Sequence, residues 1–217
     1  MSIAGEASRA VRMTLVLWIL TAIIYPLVIL VVGQVFFPYQ ANGSIVPNLQ
    51  GQPAGSALIG QVFTSDRYFQ SRPSTTNYSS FTAQERDPEN VGQTTGVSGA
   101  SNYAPSNPAL LDRIQGKDDP DPKNQIEGAI PQLRAAGIEP TADLVYTSGS
   151  SLDPHITLEA AAAQIARVAK TRNISPDEIV PLVNKHTQGR FLGIFGEPGV
   201  NVLKLNQELD VLTAAKK

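Results

Sequence analysis

The chain has no cysteine in its 217 residues. That excludes a disulfide framework, a thiolate metal site and a cysteine nucleophile, and it fits an oxidising or a reducing compartment equally well. Histidine is nearly as scarce. His155 and His186 are the only two, and neither stands in an H-x-x-x-H or H-x-x-E-H spacing, so no metal site is expected. There is no G-x-x-x-x-G-K-[ST] phosphate loop either, because the one Gly-Lys pair, Gly116-Lys117, runs on into Asp118. Basic charge is not in excess: beyond residue 37 the chain carries 18 acidic and 15 basic residues. A mildly acidic segment of this kind has no electrostatic footprint for nucleic acid, and none is expected as a partner.

Charge is missing altogether from Met13 to Phe37, MTLVLWILTAIIYPLVILVVGQVFF. About 20 apolar residues suffice to cross a hydrocarbon layer of ~30 Å as a helix, so a transmembrane helix is expected over residues 13–37. A cleavable leader has a shorter apolar core, of about 7 to 15 residues, and a small-residue cleavage site. This run is longer and ends in Phe36-Phe37-Pro38-Tyr39. It is apolar on every face, unlike the single stripe of a helix packed on a soluble core. Pro26 does not veto the span, since neighbouring groups in a bilayer helix can satisfy a freed carbonyl. Arg9 and Arg12 stand directly before the run, and the first basic residue after it is Arg67. Positive charge stays inside, so residues 1–12 are expected in the cytoplasm and residues 38–217 outside it.

Residues 38–60 are uncharged and rich in Gly, Pro, Asn and Gln, as in an irregular connector. Gly55 to Phe69 has strand-like composition, broken by Arg72-Pro73-Ser74. A polar loop of Ser, Thr, Asn, Gly and Pro follows, at about 74–107. Asn107-Pro108 then reads as a helix start, Asn as cap and Pro at the first helical position, with Gly116 beyond the end. A second short helix is expected to reach about Ala136, with Gly137 as its stop. Leu144 to Tyr146 is a short β-rich run. Leu158, Ala161, Ala162, Ile165, Val168 and Ala169 keep a 3.6-residue period, and Ser175-Pro176-Asp177-Glu178 is a capping box. Val202, Leu203, Leu205, Asn206, Leu209 and Leu212 mark a final helix. The fold class expected is α/β (mixed α+β), one compact extracytoplasmic domain behind one N-terminal transmembrane helix.

One stretch concentrates reactive residue types: SGSSLDPHI, Ser148 to Ile156. A serine hydrolase needs a serine, a base and an orienting acid that converge in space. Ser150 or Ser151 with Asp153 and His155 are local neighbours, without the G-x-S-x-G elbow. A Gly/Ser loop opening a helix suits anions, because free N–H groups and the helix dipole point at them; here the serines lie ahead of the cap expected at Thr157. The third possibility is a turn, in which Ser, Gly and Asp-Pro fold back on nearby amides. From the residues alone, a membrane-anchored hydrolase or an envelope ligand-binding module stay open as alternatives.

The motifs taken in order resemble the C subunit, KdpC, of the Kdp-type potassium-transporting ATPases. The likeness is carried by the single span followed by ANGS (Ala41 to Ser44), by GSALIGQVF (Gly55 to Phe63) and YFQSRPS (Tyr68 to Ser74), and by SGASNYAPSNPALL (Ser98 to Leu111). It continues through TSGSSLDPHIT (Thr147 to Thr157), Gln164, RVA (Arg167 to Ala169), LVNKHT (Leu182 to Thr187) and GEPGVNVLKLNQELD (Gly196 to Asp210). Three features depart from the family pattern: a longer polar stretch from Phe81 to Val97, Tyr103-Ala104 in place of Leu-Gly, and Gly199 in place of a basic residue.

The resemblance implies a non-catalytic accessory subunit in the bacterial plasma (inner) membrane, not an enzyme on its own. Its implied partners are the potassium-conducting subunit, the P-type ATPase subunit and a further small membrane subunit. Potassium is the ion that the complex transports. The D-K-T-G-T phosphorylation motif of P-type pumps is absent from this chain, in keeping with that division of labour. The resemblance also implies a catalytic chaperone that raises the ATPase subunit's affinity for ATP, met only in the complex. On that reading Ser148, Gly149, Ser150, Gln164 and Gln188 are the nucleotide-binding candidates, and Asp153, Pro154 and His155 belong to the family-motif loop.

Overall fold

The computed structural model describes residues 3–80 and 96–216. The middle of the polar loop expected at 74–107, including most of the stretch from Phe81 to Val97, lies outside the described residues. The chain forms two compact units that divide between Ile45 and Val46.

The first unit is built on one helix, α1 (Ile3–Phe36), 34 residues long. It is long and apolar enough to cross a membrane, and none of its most apolar window is buried inside the unit. Regular α-helix changes to a π-helical turn at Leu20–Ile24, where the Tyr25 N–H reaches back to the Leu20 carbonyl. Pro26 follows one residue later. A proline ring crowds the carbonyl four residues before it and offers no N–H; a widened turn directly upstream gives that ring room. The hydroxyl of Thr21 donates to the Leu17 carbonyl at 2.8 Å, adding a bond in the same region.

The second unit opens on a two-stranded sheet, β1 (Ile45–Pro47) and β2 (Pro53–Ser56). Helix α2 (Pro108–Gln115) starts as its sequence demands: the Asn107 side chain accepts from the Ala109 N–H at 3.0 Å, and Pro108 occupies the first turn. It stops at Gly116, whose φ of +90° suits a residue without a Cβ. Helix α3 (Ala129–Ala135) ends before Gly137. The remainder alternates strand and helix: β3 (His155–Ile156), α4 (Leu158–Arg172), α5 (Pro176–Lys185), β4 (Thr187–Gln188), β5 (Gly199–Asn201) and α6 (Val202–Ala214).

Strand β5 is central in the order β3-β5-β4 and antiparallel to both neighbours, with His155 opposite Asn201 and Thr187 opposite Val200. Thr157 caps α4 by accepting from the Ala160 N–H, and Ser175 and Glu178 close the expected capping box on α5. Pro181 lies inside α5. The core gathers Phe69, Ile138, Ile156, Val168, Ile179, Val200, Leu205 and Leu209, all essentially inaccessible. Each such side chain contributes on the order of 1.5–3 kcal/mol. Helix and short strand are thus mixed, as expected.

Two local expectations are corrected. Leu144 to Tyr146 is not a strand: residues Ala142–Val145 form a single helical turn whose Leu144 and Val145 are buried. A β-rich tripeptide obeyed the packing demand of the core over its own weak propensity. Beyond Ser56, the strand-like run to Phe69 has no partner strand among the described residues and follows an irregular path. Its backbone groups are met by side chains, which determines the character of the site.

Candidate functional site

The irregular segment from Ala57 to Gln70 is sutured to the helices by amides and guanidinium groups. Asn206 accepts from the Phe69 N–H at 2.8 Å and returns a bond to the Phe69 carbonyl at 2.9 Å. Gln164 does the same one residue on, accepting from the Gln70 N–H at 2.7 Å and donating to its carbonyl at 3.2 Å. Each amide side chain stands in for a missing strand. Asn201 donates to the Ala57 carbonyl at 2.8 Å while its oxygen caps α6 through the Lys204 N–H. Asn201, Asn206 and Gln164 are fully buried, so these bonds answer groups that would otherwise be unpaired at a cost of about 1–3 kcal/mol each.

Two arginines of α4 extend the suture. Arg167 donates to the Asp66 carbonyl at 2.7 Å, the Tyr68 carbonyl at 2.9 Å and Gln164 Oε1 at 3.0 Å; burial lowers its pKa from the usual arginine value. Arg172, with a wholly buried side chain, donates to the Arg67 carbonyl, Thr213 and Asp210, and lies over the Tyr68 ring at 4.9 Å. The Tyr68 hydroxyl donates to Asp210 at 3.0 Å. Burial and then the neighbouring Asp210 carboxylate raise the Tyr68 pKa.

The serine loop lies on another set of contacts. Ser151 is completely buried with φ of +57°. Its hydroxyl accepts from the Thr75 N–H and lies 2.7 Å from the Thr75 hydroxyl, and its carbonyl accepts from Ser74. The Ser150 carbonyl takes bonds from the Gly99 N–H and the Ser98 hydroxyl, both at 3.1 Å, while its own hydroxyl accepts from the Leu152 N–H. Gly60 donates to the Leu152 carbonyl. A Cβ on Gly60 would come within 2.5 Å of the Tyr78 ring and 2.8 Å of the Asp153 carbonyl. Burial pushes the Tyr78 phenol up to about 12, and its hydroxyl donates to the Arg72 carbonyl.

Asp153 anchors the end of the loop. Burial pushes its pKa up, but hydrogen bonds from the His155 ring and N–H, together with the nearby charge of the Arg72 guanidinium, outweigh this and hold it below the usual range. Arg72 also faces Asp143, whose carboxylate accepts from the Thr157 N–H at 2.6 Å. The Pro154 carbonyl accepts from Val202. Neither Ser150 nor Ser151 shares a hydrogen bond with His155, whose Nδ1 faces Asp153 and whose Nε2 is buried without a partner. The nucleophile–base contact that the hydrolase alternative requires is therefore missing from this geometry.

The five nucleotide candidates fall into three environments. Ser148 is buried, while Gly149 and Ser150 are exposed at the tip of the loop. Gln164 is deep in α4 with its amide bonded to Gln70, Arg167 and Ala160. Gln188 is exposed on β4 opposite Gly199. Among the described residues no hydrogen bond joins Gln164 or Gln188 to the serine loop, and no group of three or more His, Asp and Glu side chains is placed to hold a metal ion. Sequence reasoning missed Arg72, Asp143, Tyr78 and the amides of Asn201 and Asn206. The available signal was a polar residue on a buried helical stripe: Gln164 lies four residues from both Ala160 and Val168.

The architecture defines a class: a membrane-associated chain with one long apolar N-terminal helix and one mixed α/β domain whose buried polar side chains serve its own backbone. Residues 7–211 match the family described as KdpC: K+-transporting ATPase, c chain. The chain is 63% identical to the potassium-transporting ATPase KdpC subunit of Microcystis aeruginosa over 212 residues, 98% of each chain. It is 56% identical to that of Synechocystis over 93% of this chain and 95% of the other. The corresponding subunit of Caldanaerobacter subterraneus is 41% identical over 98% and 97%. The chain belongs to the KdpC family. It is an accessory subunit of the potassium-transporting ATPase, not its catalytic chain.

Proposed function

We propose that the domain from residue 38 onward lies outside the cytoplasm, behind a membrane span at residues 13–37. There it stabilises the assembly of the potassium-conducting and ATP-hydrolysing subunits, with a further small membrane subunit completing the complex. The observation that carries this reading is the placement of Arg9 and Arg12 before the apolar run, with no basic residue after it until Arg67. A rigid, internally bonded domain suits a scaffold, and the commitment of Gln164 to three partners supports this over a ligand-contacting role.

The chaperone reading, in which Ser148, Gly149, Ser150, Gln164 and Gln188 meet ATP held by the ATPase subunit, makes the opposite demand, since ATP is cytoplasmic. Of these five, Gly149, Ser150 and Gln188 are exposed, where a partner's nucleotide could reach them. Protease added to the outside of intact cells decides between the two. Cleavage of the domain from outside is the expected result; full protection, with cleavage only once the cytoplasmic face is opened, overturns the extracytoplasmic reading and favours direct ATP contact.

A further inference from the structure

The domain exposes one short hairpin that its own core does not explain. Between β4 and β5, Phe191 and Phe195 pair across a tight turn. Phe191 is 71%, Leu192 73%, Ile194 71% and Phe195 61% exposed. Scattered apolar residues on a surface are ordinary, but four of them within one five-residue turn are not. Leu192 moreover holds φ at +53°, beside Gly193 at +75°. A bulky residue in the left-handed region is uncommon, and a turn selected only for folding would favour glycine or asparagine there.

The tip is bonded within itself. The Phe191 N–H donates to the Phe195 carbonyl at 2.8 Å and the Phe195 N–H to the Phe191 carbonyl at 3.0 Å; Gly193 donates to Arg190 at 3.0 Å and Ile194 to Phe191 at 3.2 Å. Four of the five N–H groups from Phe191 to Phe195 are thus paired internally, which lowers the cost of leaving bulk water, and the interfacial layer still offers headgroups and water to the rest. At the base of the turn, Arg190 and Glu197 form an exposed ion pair at 3.4 Å, where charge belongs if the tip is immersed and the base stays among polar headgroups. The chain carries its own apolar helix, so a lipid surface is always in its surroundings.

We propose that the Phe191–Phe195 tip is a membrane-dipping element that inserts into the interfacial layer of the bilayer holding α1. The proposal does not depend on which side of the membrane the domain occupies. The cysteine-free sequence makes the test clean. The full chain carrying Ile194→Cys, labelled with a polarity-sensitive fluorophore, is reconstituted alone into vesicles of phosphatidylethanolamine and phosphatidylglycerol, with and without brominated acyl chains. The expected result is a blue shift and loss of emission to bromine at position 194, none for the same label on exposed Glu139→Cys, and recovery of emission when Leu192→Asp is added. A label at 194 that stays red-shifted and unquenched overturns the proposal. So does shielding that develops only when the other ATPase subunits are present, which would make the tip a protein-docking element.

Discussion

Asn206 and Phe69 are joined by two hydrogen bonds that copy a strand pairing: the side-chain oxygen accepts from the backbone N–H at 2.8 Å and the side-chain nitrogen donates to the carbonyl at 2.9 Å. Phe69 is fully buried, so its backbone has no water to turn to. Asn206→Ala should remove about 2–3 kcal/mol by leaving both groups unpaired. Asn206→Asp should do more harm, because it puts a carboxylate oxygen against the Phe69 carbonyl. Thermal unfolding of the full chain in mild detergent checks this; a domain of this size loses roughly 2–4 °C per kcal/mol. Equal melting temperatures for the variants and the parent chain would contradict the suture.

Arg172 should be less replaceable than any surface arginine. Its buried guanidinium joins Arg67, Thr213 and Asp210, and removing one partner of a buried ion pair costs about 3–5 kcal/mol. Arg172→Met should therefore lower the melting temperature by roughly 10 °C. Arg172→Lys should fall between, since an ammonium keeps the charge but not the forked geometry. Exposed Arg190, paired at 3.4 Å, serves as the comparison, and Arg190→Met should stay within about 0.5 kcal/mol of the parent.

Gly60 and Gly149 should respond in opposite ways to the same methyl group. Gly60→Ala drives a Cβ into the Tyr78 ring and the Asp153 carbonyl, whereas at Gly149 nothing lies within 4 Å. The first should cost about 1–3 kcal/mol, and the second should be close to neutral. Protease resistance of the two variants, compared under identical conditions, reads the difference.

Asp153 should give the domain a share of its acid sensitivity. Its pKa in the folded chain is depressed by His155 and Arg72 despite burial, and Asp143 is the other carboxylate facing Arg72. As pH falls the unfolded chain takes up the proton first. The contribution is therefore complete above the ordinary aspartate value, about pH 4, and is lost as pH falls through the lower folded value. The stability gap between the parent chain and Asp153→Asn should be widest near neutrality and close in acid. A constant gap across denaturation midpoints measured from about pH 3 to 7 would rule the linkage out.

Helix boundaries were legible in the sequence because capping is local. Asn107, Thr157 and Ser175 each satisfy an amide two or three residues away, so the residue types at those spacings carry the whole signal. The apolar run at α1 was equally plain. What escaped was the support of the irregular segment, because Asn206 and Phe69 are 137 residues apart and Arg172 and Arg67 105. Nothing in a window around Phe69 says that an amide from the last helix completes its backbone. The same long-range packing turned Leu144 to Tyr146 from an expected strand into a helical turn. In the serine loop, composition suggested chemistry, but Ser151 is occupied by Thr75 and Ser74, residues that the sequence places in a separate polar segment.

The π-helical turn at Leu20–Ile24 divides the long helix into two registers. One extra residue in a turn advances everything after it by roughly 100° around the axis. The stripe that Leu15 and Ile19 present would run on through Pro26, Ile29 and Gly33 in a regular helix; with the extra residue it runs on through Leu27, Leu30 and Gln34 instead. Any neighbouring helix that follows the full span must either wind around it or change partners halfway. The helix thus presents one set of side chains before the π-helical turn and a rotated set after it.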